Sequence, residues 1–282
     1  MKVRRPFQAG TFYAGTAETL RTQIEQCFTH RLGPGKTPKT ADDGPHKLVG
    51  FVSPHAGYMY SGPVAAHGFY NMALDGRPEV IVILGPNHAG QGSPIAVMNE
   101  GVWRTPLGDA QIDTTIANLI VKESKIVDPD DTAHMFEHSI EVQIPFLQYL
   151  YGSNFRFVPI DFLMQDLESS REVGEAISKA LMNKNASIIA SSDMTHYEPQ
   201  KTVEKKDQLV IDAAERMDEN QLYSAIEDYG ITACGYGPII ALITAAKALG
   251  AKNAKLLCHA TSGDVTGDYS AVVGYASIGF FR

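Results

Sequence analysis

The feature that most restricts this chain is a set of short runs that are apolar at almost every position. Lys47–Ser53 reads KLVGFVS and Val80–Leu84 reads VIVIL, and Phe155–Ile160, Ala186–Ala190 (ASIIA), Lys255–His259 (KLLCH) and Ala271–Phe280 (AVVGYASIGF) follow the same rule. A strand with one face in water alternates apolar and polar residues, so runs without alternation need cover on both faces. Windows of helical periodicity supply that cover: Ala17–His30, Ile112–Lys122, Ser139–Leu150, Ser169–Met182, Val203–Met217, Gln221–Tyr229 and Gly237–Leu249. Pro145 is expected to kink or break its window, and Gly250 to cap the last one. The pattern predicts an α/β fold: one three-layer αβα domain over residues 1–282, around a mostly parallel or mixed central sheet. The Pro/Gly-rich stretch 31–46 is expected to be an exposed loop, because too few residues precede it to form a domain of their own.

Charge and motif content exclude several functions. A formal net charge of −8 lacks the basic footprint of a nucleic-acid binder or a polybasic membrane-surface protein. No apolar stretch approaches a membrane span, and no apolar segment follows the basic residues near Met1 as in a signal peptide. Three cysteines, an odd and sparse number, point to a reducing compartment and a cytoplasmic protein. There is no P-loop, no G-x-G-x-x-G after a strand, no G-x-S-x-G elbow and no C-x-x-C pair.

Four polar clusters remain, and three follow predicted strands directly, where open α/β sheets carry their sites. Ser53-Pro54-His55-Ala56-Gly57-Tyr58 ends the first run, Gly85-Pro86-Asn87-His88 the second, and Ser191-Ser192-Asp193-Met194-Thr195-His196-Tyr197 the fourth. Cys234, in Ala233-Cys234-Gly235-Tyr236-Gly237-Pro238, stands where the predicted Gly237–Leu249 helix opens, a position that favours a thiolate. If the strands are neighbours, these side chains meet at one sheet edge. Two neutral imidazoles and one anionic ligand with open positions is the layout of a non-haem metal site. The anion here is either Asp193 or Cys234. Asp193 and His196 share a face if their segment turns helically.

A further cluster, Glu137-His138-Ser139-Ile140-Glu141, places His138 and Glu141 on one helical face, as substrate contacts or supports of the metal ligands. The alternative is a solvated helix start capped by Glu137. Arg104 either holds an anionic substrate at a pocket mouth or pairs with a carboxylate. Tyr58 and Tyr60 either wall the site or serve packing alone. His30, His46 and His67 are expected at the surface or in packing, His134 at the surface beside the acidic DPDD loop, and Cys27 and Cys258 as small buried hydrophobes.

With these residues in view, the sequence resembles the Memo family, the homologues of the mediator of cell motility. The resemblance rests on AGTFY (Ala9–Tyr13), SPHAGYMYSG (Ser53–Gly62), GPNHAG (Gly85–Gly90), RTPLGD (Arg104–Asp109), EHSIEVQIPFLQ (Glu137–Gln148), SSDMTHY (Ser191–Tyr197) and CGYGP (Cys234–Pro238). These follow one another in family order across almost the whole chain. The resemblance implies the fold of class III extradiol dioxygenases, which hold Fe(II) on two histidines and a glutamate. It implies metal ligands His55, His88 and Cys234, with Cys234 in place of the glutamate, and His196 as acid/base with Asp193 beside it. The thiolate favours copper, zinc or other thiophilic metals, so with the resemblance the expected cofactor is one ion of Fe(II) or copper, with zinc as a further option, and ring cleavage is not carried over. The resemblance also implies a functional link to radical-SAM and AMMECR-type proteins. The expected function is that of a metal-dependent oxidoreductase acting on a small molecule in the cleft. The alternatives are an adaptor that binds a peptide or small ligand in the same cleft without catalysis, and a hydrolase with a site metal.

Overall fold

A computed structural model describes residues 2–282. Its strands are β1 Val3–Arg4, β2 Leu48–Ser53, β3 Val80–Pro86, β4 Ile95–Val97, β5 Val102–Thr105, β6 Gly108–Ile112, β7 Asp128–Pro129, β8 Arg156–Phe162, β9 Ala186–Ser191, β10 His196–Glu198, β11 Asn253–Thr261 and β12 Val272–Phe281. Its helices are α1 Ala17–Thr29, α2 Gly62–Asp75, α3 Thr114–Glu123, α4 Ile144–Tyr151, α5 Leu167–Ala180, α6 Gln200–Glu215, α7 Glu219–Tyr229, α8 Tyr236–Ala248 and a single turn, α9 Gly263–Thr266.

The strands join in one sheet of order β1-β5-β6-β8-β3-β9-β2-β12-β10, with β11 on β12 and β4 bridging β8 and β7. The central strands β8, β3, β9 and β2 run parallel, while β12 is antiparallel to β2, so the sheet is mixed. The unalternating runs of β2, β3, β8, β9 and β12 are covered on both faces as expected, whereas Lys255–His259 in β11 is only half-buried. In β3, Val80, Val82 and Leu84 enter the core under α3, α5 and α8, whereas Ile81 and Ile83 face the core under α1, α2 and α4. Each fully buried residue of this kind contributes about 1.5–3 kcal/mol of hydrophobic stabilisation.

Helix starts follow local chemistry. Asp113, Asp166 and Asp218 cap α3, α5 and α7, each accepting a backbone N–H three residues on. Gly250 takes a positive φ of 90° just past α8, as a helix stop should. The window around Pro145 is split: a 3₁₀ turn, Glu141–Gln143, precedes α4, which places Pro145 in its first turn, where a missing N–H costs nothing. Helix α2 and the short strands β1, β4, β5, β6, β7 and β10 were not anticipated. Segment 31–46 is irregular, and none of its residues lines the large cleft described below.

His134 corrects one expectation. It is fully buried, not at the surface, with Nδ1 2.9 Å from the carboxylate of Asp161, itself fully buried. The contact lies off the line of a hydrogen bond, and neither Asp161 oxygen nor either His134 nitrogen has another partner. Burial pushes the Asp161 carboxyl up to about 6, against the pull of His134. A folded-state pKa above the unfolded one contributes stability below about pH 4 that is lost as the pH rises through about 6. Asp161→Asn removes that titration. Relative to the parent, the variant should gain on the order of 2–3 kcal/mol between pH 4 and pH 7. Urea melts at the two pH values measure the difference, and a pH-independent offset rules this origin out.

Candidate metal centre

Three parallel neighbours, β3, β9 and β2, deliver the site from their carboxyl ends. His55 follows β2 through Ser53-Pro54, His88 follows β3 through Asn87, and Asp193 follows β9. Cys234 arrives separately, just ahead of α8. Gly235 is the only residue type that fits beside it, because a Cβ there would strike the carbonyl of Ser191. Gly85 does the same for the opposite wall, where a Cβ would collide with Ser139 and push away the turn that carries Glu137 and His138.

One donor atom from each of His55, His88 and Cys234 lies within 4.8 Å of the other two. His55 Nε2 is 3.2 Å from Cys234 Sγ. The proton positions follow from the partners. Ser191 Oγ donates its one hydrogen to the carbonyl of Ser139 at 2.6 Å, so toward His55 Nδ1, 2.9 Å away, it accepts. His55 therefore carries its proton on Nδ1 and turns the Nε2 lone pair toward Cys234. Gln143 Nε2 donates to the same Ser191 Oγ at 2.8 Å and fixes it in place.

His88 is held the same way by Glu137, with Nδ1 2.9 Å from Oε1. Glu137 also accepts backbone N–H groups from His88, Ala89, His138 and Ser139. Burial opposes its ionisation, but His88 and these donors hold the carboxyl down to about 2. An ionised carboxylate on Nδ1 leaves Nε2 of His88 as the free donor, the arrangement that orients metal-binding histidines. His138 stacks on His88 with centroids 4.6 Å apart. His88, Glu137 and His138 form a second group close enough to hold an ion, but Glu137 is already engaged by five donors.

The environment also sets the acid–base properties. Burial and the neighbouring imidazoles of His138, His88 and His196 push His55 well below its ordinary range, so it is neutral. Burial and the adjacent Asp193 push the Cys234 thiol up. Burial raises Asp193 to about 6, opposed by the His55 N–H that it accepts at 2.7 Å. His196 binds the carbonyl of Thr232 through Nδ1 at 2.9 Å, which leaves Nε2 as its acceptor.

These groups open into a cleft of about 820 Å³, lined by His55, His88, His138, Asp193 and His196 together with Phe12, Tyr60, Tyr197 and Tyr275. The helical turn expected between Asp193 and His196 is absent: the segment is extended into β10, and both residues reach the cleft without it. Three expected site residues lie elsewhere. Arg104, on the β5–β6 hairpin, is exposed and pairs bidentately with Asp109 at 2.7 and 2.9 Å. Tyr58 is buried and donates its hydroxyl to the carbonyl of Val142 at 2.6 Å. Glu141 is buried and binds Arg4, the amides of Phe7 and Gln8, and the Tyr13 hydroxyl. Arg4 in turn binds the carbonyls of His134 and Glu137 and lies 4.3 Å from the centre of the Trp103 ring. Sequence reading missed Arg4, Gln143, Ser191 and Thr232 as supports. Nothing in an isolated arginine, glutamine, serine or threonine announces such a partner.

A model of the Memo-like protein family matches residues 4–279 of this sequence. The chain is 53% identical over 281 residues to a MEMO1 family protein of Methanopyrus kandleri, covering 99% of both chains. It is 48% identical over 278 residues to one of Methanothermobacter thermautotrophicus, covering 98% of this chain and 99% of the relative. It also resembles the crystal structure of an uncharacterized protein from Escherichia coli K12, with a TM-score of 0.59 and 14% identity, covering 83% of this chain and 99% of the other. That likeness concerns the fold alone.

Proposed function

The chain belongs to the Memo family, and from that premise we propose that its cleft is a metal-dependent oxidoreductase centre with one non-haem ion on His55, His88 and Cys234. The observation that carries this reading is the pair of fixed tautomers. Ser191 and Glu137 each occupy an Nδ1, so both imidazoles offer Nε2, and His55 aims it at Cys234. Two imidazoles and a thiolate suit iron or copper, with zinc a further option. Such an ion, when bound, supplies redox or Lewis-acid chemistry beside its open positions. Loading displaces the Cys234 proton, so metal affinity should fall toward acid pH.

The other residues have their own tasks. His196 presents a free Nε2 that takes or returns a substrate proton, and its bond to Thr232 keeps the ring in place. Asp193 fixes the His55 backbone and, through its own N–H, touches Cys234 Sγ at 3.3 Å. Phe12, Tyr60, Tyr197 and Tyr275 give the cleft an aromatic wall for a substrate to pack on.

Elemental analysis tests this directly. Protein purified anaerobically without tag or chelator should carry about one iron or copper per chain, and His55→Ala/His88→Ala protein should carry none. Absence of metal from the parent, even after reconstitution, would favour a binding protein. The breadth of the cleft is the observation behind that second reading, since about 820 Å³ exceeds what an ion and a small oxidant need.

A further inference from the structure

The cleft that holds the candidate ligands has an uneven charge. Among the described residues lining it there is no lysine and no arginine, whereas two carboxylates, Asp193 and Asp268, stand in its wall. Asp193 lies at the ligand end. Asp268 lies in the loop after α9, a segment that also contributes Ser262, Thr266 and Ala271 to the lining. Its Oδ1 accepts the Ser270 amide at 3.0 Å and the Ser270 hydroxyl at 2.6 Å, and its Oδ2 is free for a ligand. These bonds hold the Asp268 carboxyl below the usual carboxylate range, so it is charged at neutral pH.

The lining also carries four aromatic rings: Phe12, Tyr60, Tyr197 and Tyr275. Tyr197 is held there at a cost. It has a φ of 57°, in the left-handed region that bulky residues avoid, and its side chain is 76% exposed. Such strain persists where surrounding structure enforces it and tends to mark a working position. Here the His196 amide is bonded to Thr232 Oγ1 on one side and the β10–β12 pairing fixes the other. A large ring in such a conformation gains nothing from burial, so its gain must come from what it touches when the cleft is filled.

We propose that the cleft takes a ligand bearing an organic cation, an ammonium or guanidinium group, seated against the aromatic wall and paired with Asp268. Aromatic faces attract such cations, and the carboxylate adds a directed charge. An anionic headgroup finds no lysine or arginine in the lining, and the His88 imidazole, raised by Glu137 against its burial, is already paired with that carboxylate. This inference rests on the reading that the cleft is where the protein acts, and it deepens that reading by naming the ligand class. The cation is supplied either by a small amine or by a lysine side chain of a peptide.

Calorimetric titrations of the full chain with two isosteric pairs test it. The first pair is phenethylamine and 2-phenylethanol. The second is acetyl-Lys-Tyr-Lys-amide and acetyl-Gln-Tyr-Gln-amide. The cationic member of at least one pair should bind about fivefold more tightly than its neutral partner, with Asp268→Asn removing most of that preference and leaving the neutral partner unchanged. Preference in the first pair alone identifies a small amine, and preference in the second a peptide side chain. Equal binding within both pairs, no binding of any probe at millimolar concentration, or an undiminished preference in Asp268→Asn overturns the proposal. Metal content of the same samples separates the two readings. Metal without a cation preference removes only this inference, and a cation preference without metal removes only the metal-centre reading.

Discussion

Cys234→Ser protein should fold normally and lose its metal affinity by more than about 100-fold, a larger loss than removal of a mere orienting partner causes. The reason is the identity of the donor. A serine hydroxyl does not ionise to match a thiolate, and the soft donor that favours copper, iron or zinc disappears with it. The fold should tolerate the change, because the Sγ contacts are few: the Asp193 amide at 3.3 Å, the Asp193 carbonyl at 3.7 Å and His55 Nε2 at 3.2 Å. A destabilisation of about 1 kcal/mol is expected from the weakened hydrogen bonds. Competition with a chromophoric chelator measures the affinity, and a thermal melt in chelator measures the fold. Metal affinity unchanged in the serine variant would remove Cys234 from the ligand set and leave Asp193 as the anionic candidate. Cys234→Asp adds a second readout. It should shift preference from copper toward iron or manganese, since carboxylate is the harder donor.

Glu141→Ala should be the most destabilising single change in the chain, by on the order of 4 kcal/mol in urea unfolding. Glu141 is 1% exposed and answers an equally buried guanidinium, two backbone amides and a tyrosine hydroxyl. Its removal strands the Arg4 charge in the core, which is far more costly than the loss of a surface pair. Burial and the Glu141 charge already push the Tyr13 hydroxyl far up, so Tyr13 offers no compensating negative charge. The effect should also reach the site. Arg4 holds the carbonyl of Glu137, whose side chain orients His88, so metal affinity should fall with stability. Glu141→Gln keeps the shape and loses the charge, and should sit between alanine and the parent. A loss below about 1 kcal/mol for the alanine variant, the range of a surface pair, would show that the core reorganises to let Arg4 reach water.

The two variants mark the limits of what the sequence discloses. His55 and His88 were legible because each follows a run with no alternation and sits in a Gly/Pro turn, so strand pairing alone carries them to one edge. Cys234 was legible from its position before a helix. His134 was misjudged because the acidic stretch DPDD beside it suggests solvent. Its burial comes from contacts distant in sequence, with Asp161 and with the Trp103 ring 5.6 Å away. Of the two readings of Arg104 the structure bears out pairing with a carboxylate, because the hairpin brings Asp109 beside it and leaves no need for an anionic substrate. Glu141 was placed on a regular helix with His138, whereas the chain makes a 3₁₀ turn there, so the two side chains diverge to different neighbours. Gln143 and Ser191 show the same limit from the other side: the residues that fix a tautomer are ordinary types, and only their positions in space give them that task.

Strand β12 has a consequence for how the protein is made. It is synthesised after every other strand, yet it lies beside β2, the strand that carries His55, and pairs with β10, which begins at His196. Until the ribosome has released it, β2 is a bare apolar edge, and the His196 segment has no strand to lie on. Cys234 also emerges well after the two histidines. An ion held by His55, His88 and Cys234 would therefore be acquired only after these segments have been made and paired. Products interrupted before residue 272 should expose a sticky edge and aggregate rather than circulate as half-assembled metal binders.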